Sequence, residues 1–514
     1  MTIVEELMQL QDKELALKSK EILADCEATQ RRVLAEILHG AQDTEFGRKY
    51  GFAGIGSASD YREAVPLSEW NDYAAYSERM KRGEADITFS GKAQSFTISS
   101  GTTSPQNKYI PVSSLQSEAF KLVERMRQIR YFMAEPQLMQ GIMMPLVNTP
   151  KSETTEAGIP AGTASGMTVQ RSAIKDKLAF PMSVFQISDN QERDYQMMLS
   201  AISHRDVYVI AGNNAGRMTA LVRMAQNRRN DIISDMERID PARAEELRGM
   251  KDFTPAEYWK DLKLGLFWMS ASVGKYVEEL RPLLPKSTKI MDVGYGSSEA
   301  KFNIPLQPEE TAGALSTATA FYEFIPEEGG MPLMAHQVEV GKNYELVITT
   351  WAGLYRYNMR DVVRVTGFAG TTPMIEFQYK SIEVLNMVDE KLPASLVCDT
   401  IRQYLAEKGC TIRQIQIYQD RQQGCYQCYV EPVEGHIQQG DAIDQAIDDL
   451  LVSQFYGYDL FRNKAHVLNR LHITEMKQGW QQSLYQKAIR KPGMTNSQVK
   501  LSLIAKEDEG AWAV

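Results

Sequence analysis

Apolar residues recur with a helical period through residues 3–39, with Ile3, Leu7, Leu10, Leu15 and Leu17 set among charged neighbours. The stretch DTEFGRKYGF (43–52) interrupts that period with two glycines. Residues 68–82, SEWNDYAAYSERMKR, predict a second helix with Ser68 as its cap. A third is expected at about 113–133. Between them, the short apolar run Phe96–Ile98 gives way at once to hydroxyl residues and glycine, in SFTISSGTTSPQNKYI (95–110).

Further along, 151–168 is too rich in Gly, Ser and Thr for a helix interior and reads as a loop. Residues 190–202 and 214–249 have helical periods, and DVYVIAG (206–212) between them is a short buried strand. Residues 289–306 read as strand, loop and irregular chain. Residues 343–368 read as two strands about a turn at Ala352-Gly353. Alternating strands and helices through the first 380 residues predict an α/β domain with layered sheets. The texture then changes: a helix (393–408), a strand pair (412–431), an acidic helix (441–455) and a basic tail (461–503) form a compact block. The domain boundary is expected near 383–390, giving domains 1–385 and 386–514.

The 514 residues suffice for two or more domains. The net charge of −9 disfavours nonspecific nucleic-acid binding, which needs a basic face. No apolar run approaches the roughly 18 residues of a membrane span, and the charged N-terminus lacks a signal core. A cytoplasmic protein that binds neither nucleic acid nor membrane is expected, as a monomer or weak oligomer. Five cysteines make no disulfide framework. Cys425 and Cys428 form a CxxC without a second pair, and the alternation around them predicts plain strand residues. The six histidines form no motif.

Three stretches have a composition suited to chemistry. In the first, Ser99, Ser100, Thr102 and Thr103 supply hydroxyls and Gly101 permits a kink and close backbone approach. The spacing is not that of a P-loop, because Lys108 follows Asn107 and precedes Tyr109. A hydroxyl-rich hairpin turn accounts for the same residues. In the second, GYGSSEAKFNIP (294–305), Tyr295 is placed to stack on a base and Glu299 to ligate Mg²⁺. The alternative is a glycine-rich loop with a solvent-facing glutamate. In the third, LYRYNMRDVVRVTGF (354–368), Asp361 interrupts a strand pattern. It is suited to ribose hydroxyls, or else to a structural ion pair with Arg356, Arg360 or Arg364.

Taken in order, these stretches resemble the three nucleotide motifs of the auxin-responsive acyl acid–amido synthetases, the Gretchen Hagen family of adenylate-forming enzymes: SSGTS, [YF]-G-[AS]-S-E and Y-R-x-G-D-V-V. GIPAGTAS (158–165), RNDIISD (229–235), AFYEFIP (320–326) and RKPGMTNSQVKLS (490–502) are also similar to family segments. Two departures stand out. Arg360 occupies the place of the glycine before Asp361, with a longer spacing from Arg356. Pro105 stands where the family often has glycine.

The resemblance implies a large N-terminal adenylate-forming domain and a small, mobile α+β C-terminal domain. It implies an enzyme that uses ATP and Mg²⁺ to join a small carboxylic acid to an amino acid or other amine through an acyl-AMP. Transfer to a thiol, or a catalytically inactive binding protein, are the alternatives. It assigns the β- and γ-phosphates to Ser99, Ser100, Gly101, Thr102 and Thr103. Tyr295 would stack on adenine, with Gly296, Ser297 and Ser298 beside it. Glu299 would hold Mg²⁺ and Asp361 the ribose. Lys391 would touch the nucleotide near a hinge, and Lys500 would reach the α-phosphate or acyl oxygen. The acyl pocket is expected between the 113–133 helix, the IPAGTAS loop and the region after 320.

Overall fold

A computed structural model describes the chain except for residues 100–107, 147–151, 163–176, 213, 271–273, 382, 388–389, 391, 434–435, 438–439, 465 and 490–500. The N-terminal segment forms three helices rather than one: α1 (Ile3–Gln9), α2 (Asp12–Ala24) and α3 (Cys26–Ala41). Caps account for the breaks. Gln11 pairs with Glu14 in a capping box, and the Asp25 carboxylate accepts from the Ala28 N–H. The glycine-containing stretch after α3 includes a short helix, α4 (Glu45–Lys49), capped by Thr44. Helices α5 (Ala58–Ala64), α6 (Trp70–Lys81) and α7 (Ser114–Ala134) follow. Ser68 does not cap α6. Glu69 does, in a capping box with Asp72, while the Ser68 hydroxyl donates to the Tyr355 carbonyl at 2.8 Å.

The strands up to residue 380 are β1 (Ser95–Ser99), β2 (Lys108–Val112), β3 (Ile142–Leu146), β4 (Ser152–Thr154), β5 (Pro160–Gly162), β6 (Val207–Gly212), β7 (Leu264–Phe267) and β8 (Lys289–Asp292), followed by seven more. Those are β9 (Asn303–Pro305), β10 (Gly313–Leu315), β11 (Phe321–Pro326), β12 (Leu333–Met334), β13 (Asn343–Thr349), β14 (Tyr357–Ala369) and β15 (Thr372–Lys380). Three sheets result, with orders β2-β1-β5-β4, β3-β6-β7-β8 and β12-β11-β13-β14-β15-β10-β9. The second is parallel throughout, with Val209 opposite Leu264 and Leu264 opposite Lys289. Its core is built with the helices Asn190–Ser203, Ala215–Asn227 and Arg229–Ile239. The seven-stranded sheet shares a core with α1, α3 and α7. Crevices outside the carboxyl ends of parallel strands are the usual ligand sites of such sheets; here those ends are Leu146, Gly212, Phe267 and Asp292.

The chain separates into a unit ending at Gln378 and a smaller one running from Tyr379. In the smaller unit, helices Ala394–Glu407 and Asp441–Gln454 accompany a four-stranded sheet that includes Ile412–Asp420 and Cys425–Pro432. Cys425 and Cys428 lie in the latter strand, paired with Asp420 and Ile417. Both are buried, and burial raises both thiol pKa values. They are strand residues, as expected. None of the five cysteines is in a disulfide. Among the described residues no helix is long and apolar enough to cross a membrane.

Candidate functional site

The loop after β8 is held by groups on three sides. The Asp292 carboxylate accepts from the Met269 N–H at 2.7 Å and the Gly294 N–H at 2.6 Å. It thereby ties the end of β7 to the loop. Burial raises its pKa to about 6. Tyr295 is held through its backbone: its N–H donates to the Asn303 side chain at 2.7 Å, and its carbonyl accepts from Arg127 at 3.1 Å. Arg127, buried on α7, also donates to the Asn303 carbonyl at 2.7 Å. Gly294 has φ +85°, and a Cβ there would meet the Arg127 guanidinium at 2.5 Å. Glycine is therefore required both for the conformation and for the space.

The motif residues next in line form a tight turn. Gly296 bridges to Lys301, and the Ser297 N–H donates to the Ala300 carbonyl at 2.8 Å. The Ser297 hydroxyl accepts from the Glu299 N–H at 3.1 Å, so its role is to shape the turn. Ser298 is half-buried. Glu299 is buried, and among the described residues no donor bonds its carboxylate.

Tyr295 corrects one expectation. Its ring is 2% exposed, stacks on Phe302 at 4.3 Å and meets Phe377 at 5.3 Å. The ring is thus part of the core, and it shows no open face for a base. Its phenol instead donates to Asp361 at 2.5 Å. Burial, reinforced by the Asp361 and Glu299 carboxylates, raises the pKa of this phenol well above its ordinary value. The Tyr357 phenol is raised chiefly by burial, then by the same two carboxylates. The Glu299 and Asp361 carboxylates, 62 positions apart in sequence, thus both raise the pKa values of these two phenols.

Asp361 lies within β14, as the pattern indicated, and is buried. The unusual spacing before it is a bulge. Glu345 pairs with Val362 and Val347 with Asn358, so two residues of β13 span four of β14. The family motif Y-R-x-G-D has two residues between Arg and Asp; this chain has four, Tyr357, Asn358, Met359 and Arg360. Arg360 adopts φ +54°, the conformation that glycine takes freely.

The two arginines have different roles. Arg356 is buried and grips Glu323 with two contacts of 2.9 and 3.0 Å, and Arg62 shares that carboxylate at 3.0 Å. Arg360 is exposed and donates to Glu69 at 2.9 Å and Glu345 at 3.4 Å.

The first motif is bracketed by a hairpin: Ser99, the last residue of β1, pairs with Lys108, the first of β2. The Lys108 ammonium lies 5.9 Å from the Trp70 ring centroid. Ser100, Gly101, Thr102, Thr103, Lys391 and Lys500 lie outside the described residues. Asp292, Arg127 and Asn303 were missed by sequence reasoning. An arginine on the apolar face of α7, beside Leu122, Val123 and Met126, and an acid ending a buried strand were the available signals.

The GH3 family N-terminal domain matches residues 18–289, and the GH3 family central domain matches residues 313–380. A jasmonoyl–L-amino acid synthetase from Nicotiana attenuata is 24% identical over 438 residues, covering 76% of this chain and 75% of its own. An indole-3-acetic acid-amido synthetase from Arabidopsis thaliana is 24% identical over 453 residues, covering 78% and 75%. The solved acyl acid amido synthetase AtGH3.15, in complex with 2,4-DB, superposes with TM-score 0.83 at 19% identity, over 98% of this chain and 97% of its own. The fold is shared more distantly with a 2-hydroxyisobutyryl-CoA ligase, with TM-score 0.56 at 12% identity over 93% of this chain and 89% of that one. These matches bear out the resemblance carried by the three motifs and the adenylate-forming architecture: the chain belongs to the GH3 family.

Proposed function

We propose that this protein is an ATP-dependent acyl acid–amido synthetase. It adenylates a small carboxylic acid and transfers the acyl group to an amine, an amino acid by the pattern of its relatives' names. The observation that carries the reading is the buried hydrogen bond from the Tyr295 phenol to Asp361, which joins the second and third motifs in a chain of this family.

An acid oxygen attacks the α-phosphorus of ATP, and the bond to pyrophosphate breaks. The amine nitrogen then attacks the acyl carbon, AMP leaves and the nitrogen loses a proton. Asp361 accepts hydrogen bonds from the ribose hydroxyls, held in orientation by the Tyr295 phenol. The Ser99–Thr103 segment grips the departing phosphates with hydroxyls and backbone N–H groups. A buried carboxylate to which no described residue donates fits Mg²⁺, which takes one or two carboxylates and completes its shell with phosphate and water. Glu299 would hold the ion, which supplies charge neutralisation on the phosphates. Tyr295 contributes through its hydroxyl and backbone, and Gly296, Ser297 and Ser298 shape the wall beside it. Lys391 touches the nucleotide, and Lys500 reaches the α-phosphate or acyl oxygen from a functional domain running over 386–514, after one of 1–385. We assign the protein to the cytosol, acting as a monomer or weak oligomer.

ATP–pyrophosphate exchange with a panel of carboxylic acids, followed by amines or coenzyme A, tests the reading. Acid-dependent exchange and amide formation are expected. Thioester without amide defeats it. Lys500→Ala should slow adenylation far more than it weakens ATP binding; equal losses would indicate a structural lysine.

A further inference from the structure

Among the described residues, seven tyrosines are buried in the core that the seven-stranded sheet shares with α1, α3 and α7. Six have a hydrogen-bond partner for the phenol. Tyr61 meets the Thr349 hydroxyl at 2.7 Å, Tyr295 meets Asp361 at 2.5 Å and Tyr322 meets the Ser316 hydroxyl at 3.1 Å. Tyr73 and Tyr355 donate to the Tyr355 and Thr88 carbonyls, and Tyr344 accepts from the Glu339 N–H. The seventh, Tyr357, is 4% exposed, and its hydroxyl bonds to no described residue. A buried hydroxyl left in that state is costly, and almost all find a partner.

Tyr357 is held where it stands. Ile348 of β13 pairs with it on one side. On the other, Ser68 donates its N–H to the Arg356 carbonyl at 3.0 Å and accepts from the Asn358 N–H at 2.8 Å. The Tyr357 ring meets the Tyr73 ring edge-on, with 6.0 Å between centroids. Its direction follows from the strand. Tyr357, Met359, Asp361, Val363 and Val365 of β14 are buried, while Arg360, Arg364 and Thr366 are exposed. Tyr357 and Asp361 therefore share the inward face, on which the Tyr295 phenol reaches Asp361. Burial first, then the Glu299 and Asp361 carboxylates, raise the pKa of the Tyr357 phenol. It stays protonated, so it can serve as a donor and not as a base.

We propose that the Tyr357 hydroxyl is a further catalytic group, donating a hydrogen bond to a non-bridging oxygen of the α-phosphate of ATP. The inference rests on the adenylation proposed above. In a nucleotide whose ribose meets Asp361 and whose metal-bound phosphates face Glu299, the α-phosphate is the link between the two. Negative charge grows on its oxygens as the acid attacks, and a donor already fixed in place stabilises that charge without reorganising. The phenol keeps its proton throughout.

Tyr357→Phe removes the oxygen and keeps the ring. ATP–pyrophosphate exchange by the full chain, with the acid that the native protein adenylates fastest, should slow about 100-fold. ATP affinity should change no more than about threefold, since the bond strengthens only as charge develops. The thermal midpoint should hold or rise, because no internal hydrogen bond is lost. Tyr61→Phe, which strands the Thr349 hydroxyl, should lower it. With the two diastereomers of ATPαS, the penalty of Tyr357→Phe should shrink at least tenfold for the one whose sulfur replaces the contacted oxygen. Exchange left unchanged by Tyr357→Phe overturns this inference alone, as does a lowered thermal midpoint, which would make the hydroxyl structural. A penalty that vanishes with 2′-deoxy-ATP, and persists with both thio-diastereomers, overturns it in favour of a ribose contact. No exchange by the native protein with any acid defeats the adenylation reading and this inference with it.

Discussion

In the parallel sheet β3-β6-β7-β8, the buried acid Asp292 stands at a strand's carboxyl end. It accepts two backbone N–H groups there, from Met269 and Gly294. In the seven-stranded antiparallel sheet, Glu323, Arg356 and Asp361 are buried in or beside the strand interiors. The two carboxylates are met by side chains, Arg356 and Arg62 for Glu323 and the Tyr295 phenol for Asp361. A strand end has backbone donors that no ladder uses, so one carboxylate can be satisfied locally. A strand interior has spent its donors on the ladder. A charge placed there needs a partner from elsewhere in the chain, or a bulge that re-aims it. The first sheet therefore offers the site its open ends, and the second carries its fixed charges.

Removing the interior carboxylate is the severest test of that contrast. Asp361→Ala should lower ATP affinity about 100-fold or more, given about 1.5–3 kcal/mol for each hydrogen bond to a charged group. Circular dichroism should show the fold intact. Undiminished ATP affinity by calorimetry would refute the ribose role.

Next comes the buried ion pair. Arg356→Met leaves Glu323 in the core with only Arg62, and should cost about 3 kcal/mol in denaturant unfolding. A cost below about 1 kcal/mol would mean that Arg62 alone satisfies the carboxylate.

The strand-end acid should act through pH. Its folded pKa of about 6 lies above the ordinary 3.8, so the folded state holds this proton more tightly. Stability from this group is complete below about pH 4 and is lost as pH rises through 6, by roughly 1–3 kcal/mol. The stability difference between the native protein and Asp292→Asn should therefore shrink between pH 4 and 6 and stay level above it. A difference independent of pH would remove this group from the profile.

Smallest is the exposed arginine. Arg360→Gly gives up surface contacts with Glu69 and Glu345, each worth little. It also relieves a left-handed conformation that costs a non-glycine residue about 1 kcal/mol. The two should cancel to within about 0.5 kcal/mol of thermal stability. A loss above 2 kcal/mol would show that the guanidinium is structural, like that of Arg356.

Much of this architecture was legible in the chain. The helix around 113–133, the strand 206–212 and the two strands about Ala352-Gly353 followed from period and turn chemistry. The motif order carried the family. What escaped were relations that no local pattern encodes. Tyr295 read as an exposed stacker because an aromatic between glycines resembles a loop residue; Phe302 and Phe377 come to cover it only in three dimensions. Arg127 gave no sign of its reach to Tyr295 and Asn303, which lie 168 and 176 positions away. Ser68 is a good cap by type, but its hydroxyl was drawn to Tyr355, and Glu69 took its place.

The bulge in β14 has a consequence for parity. Side chains on a strand alternate between two faces, so one inserted residue would turn every later position inside out. The bulge inserts two. Past it, Val363 and Val365 hold buried positions while Arg364 and Thr366 face outward. The distance between the arginine and the aspartate of this motif can therefore change in steps of two at small cost, while a change of one would scramble the core. Relatives with odd spacings here are expected to be rare, and a search that counts residues between the two would pass over chains whose site is intact.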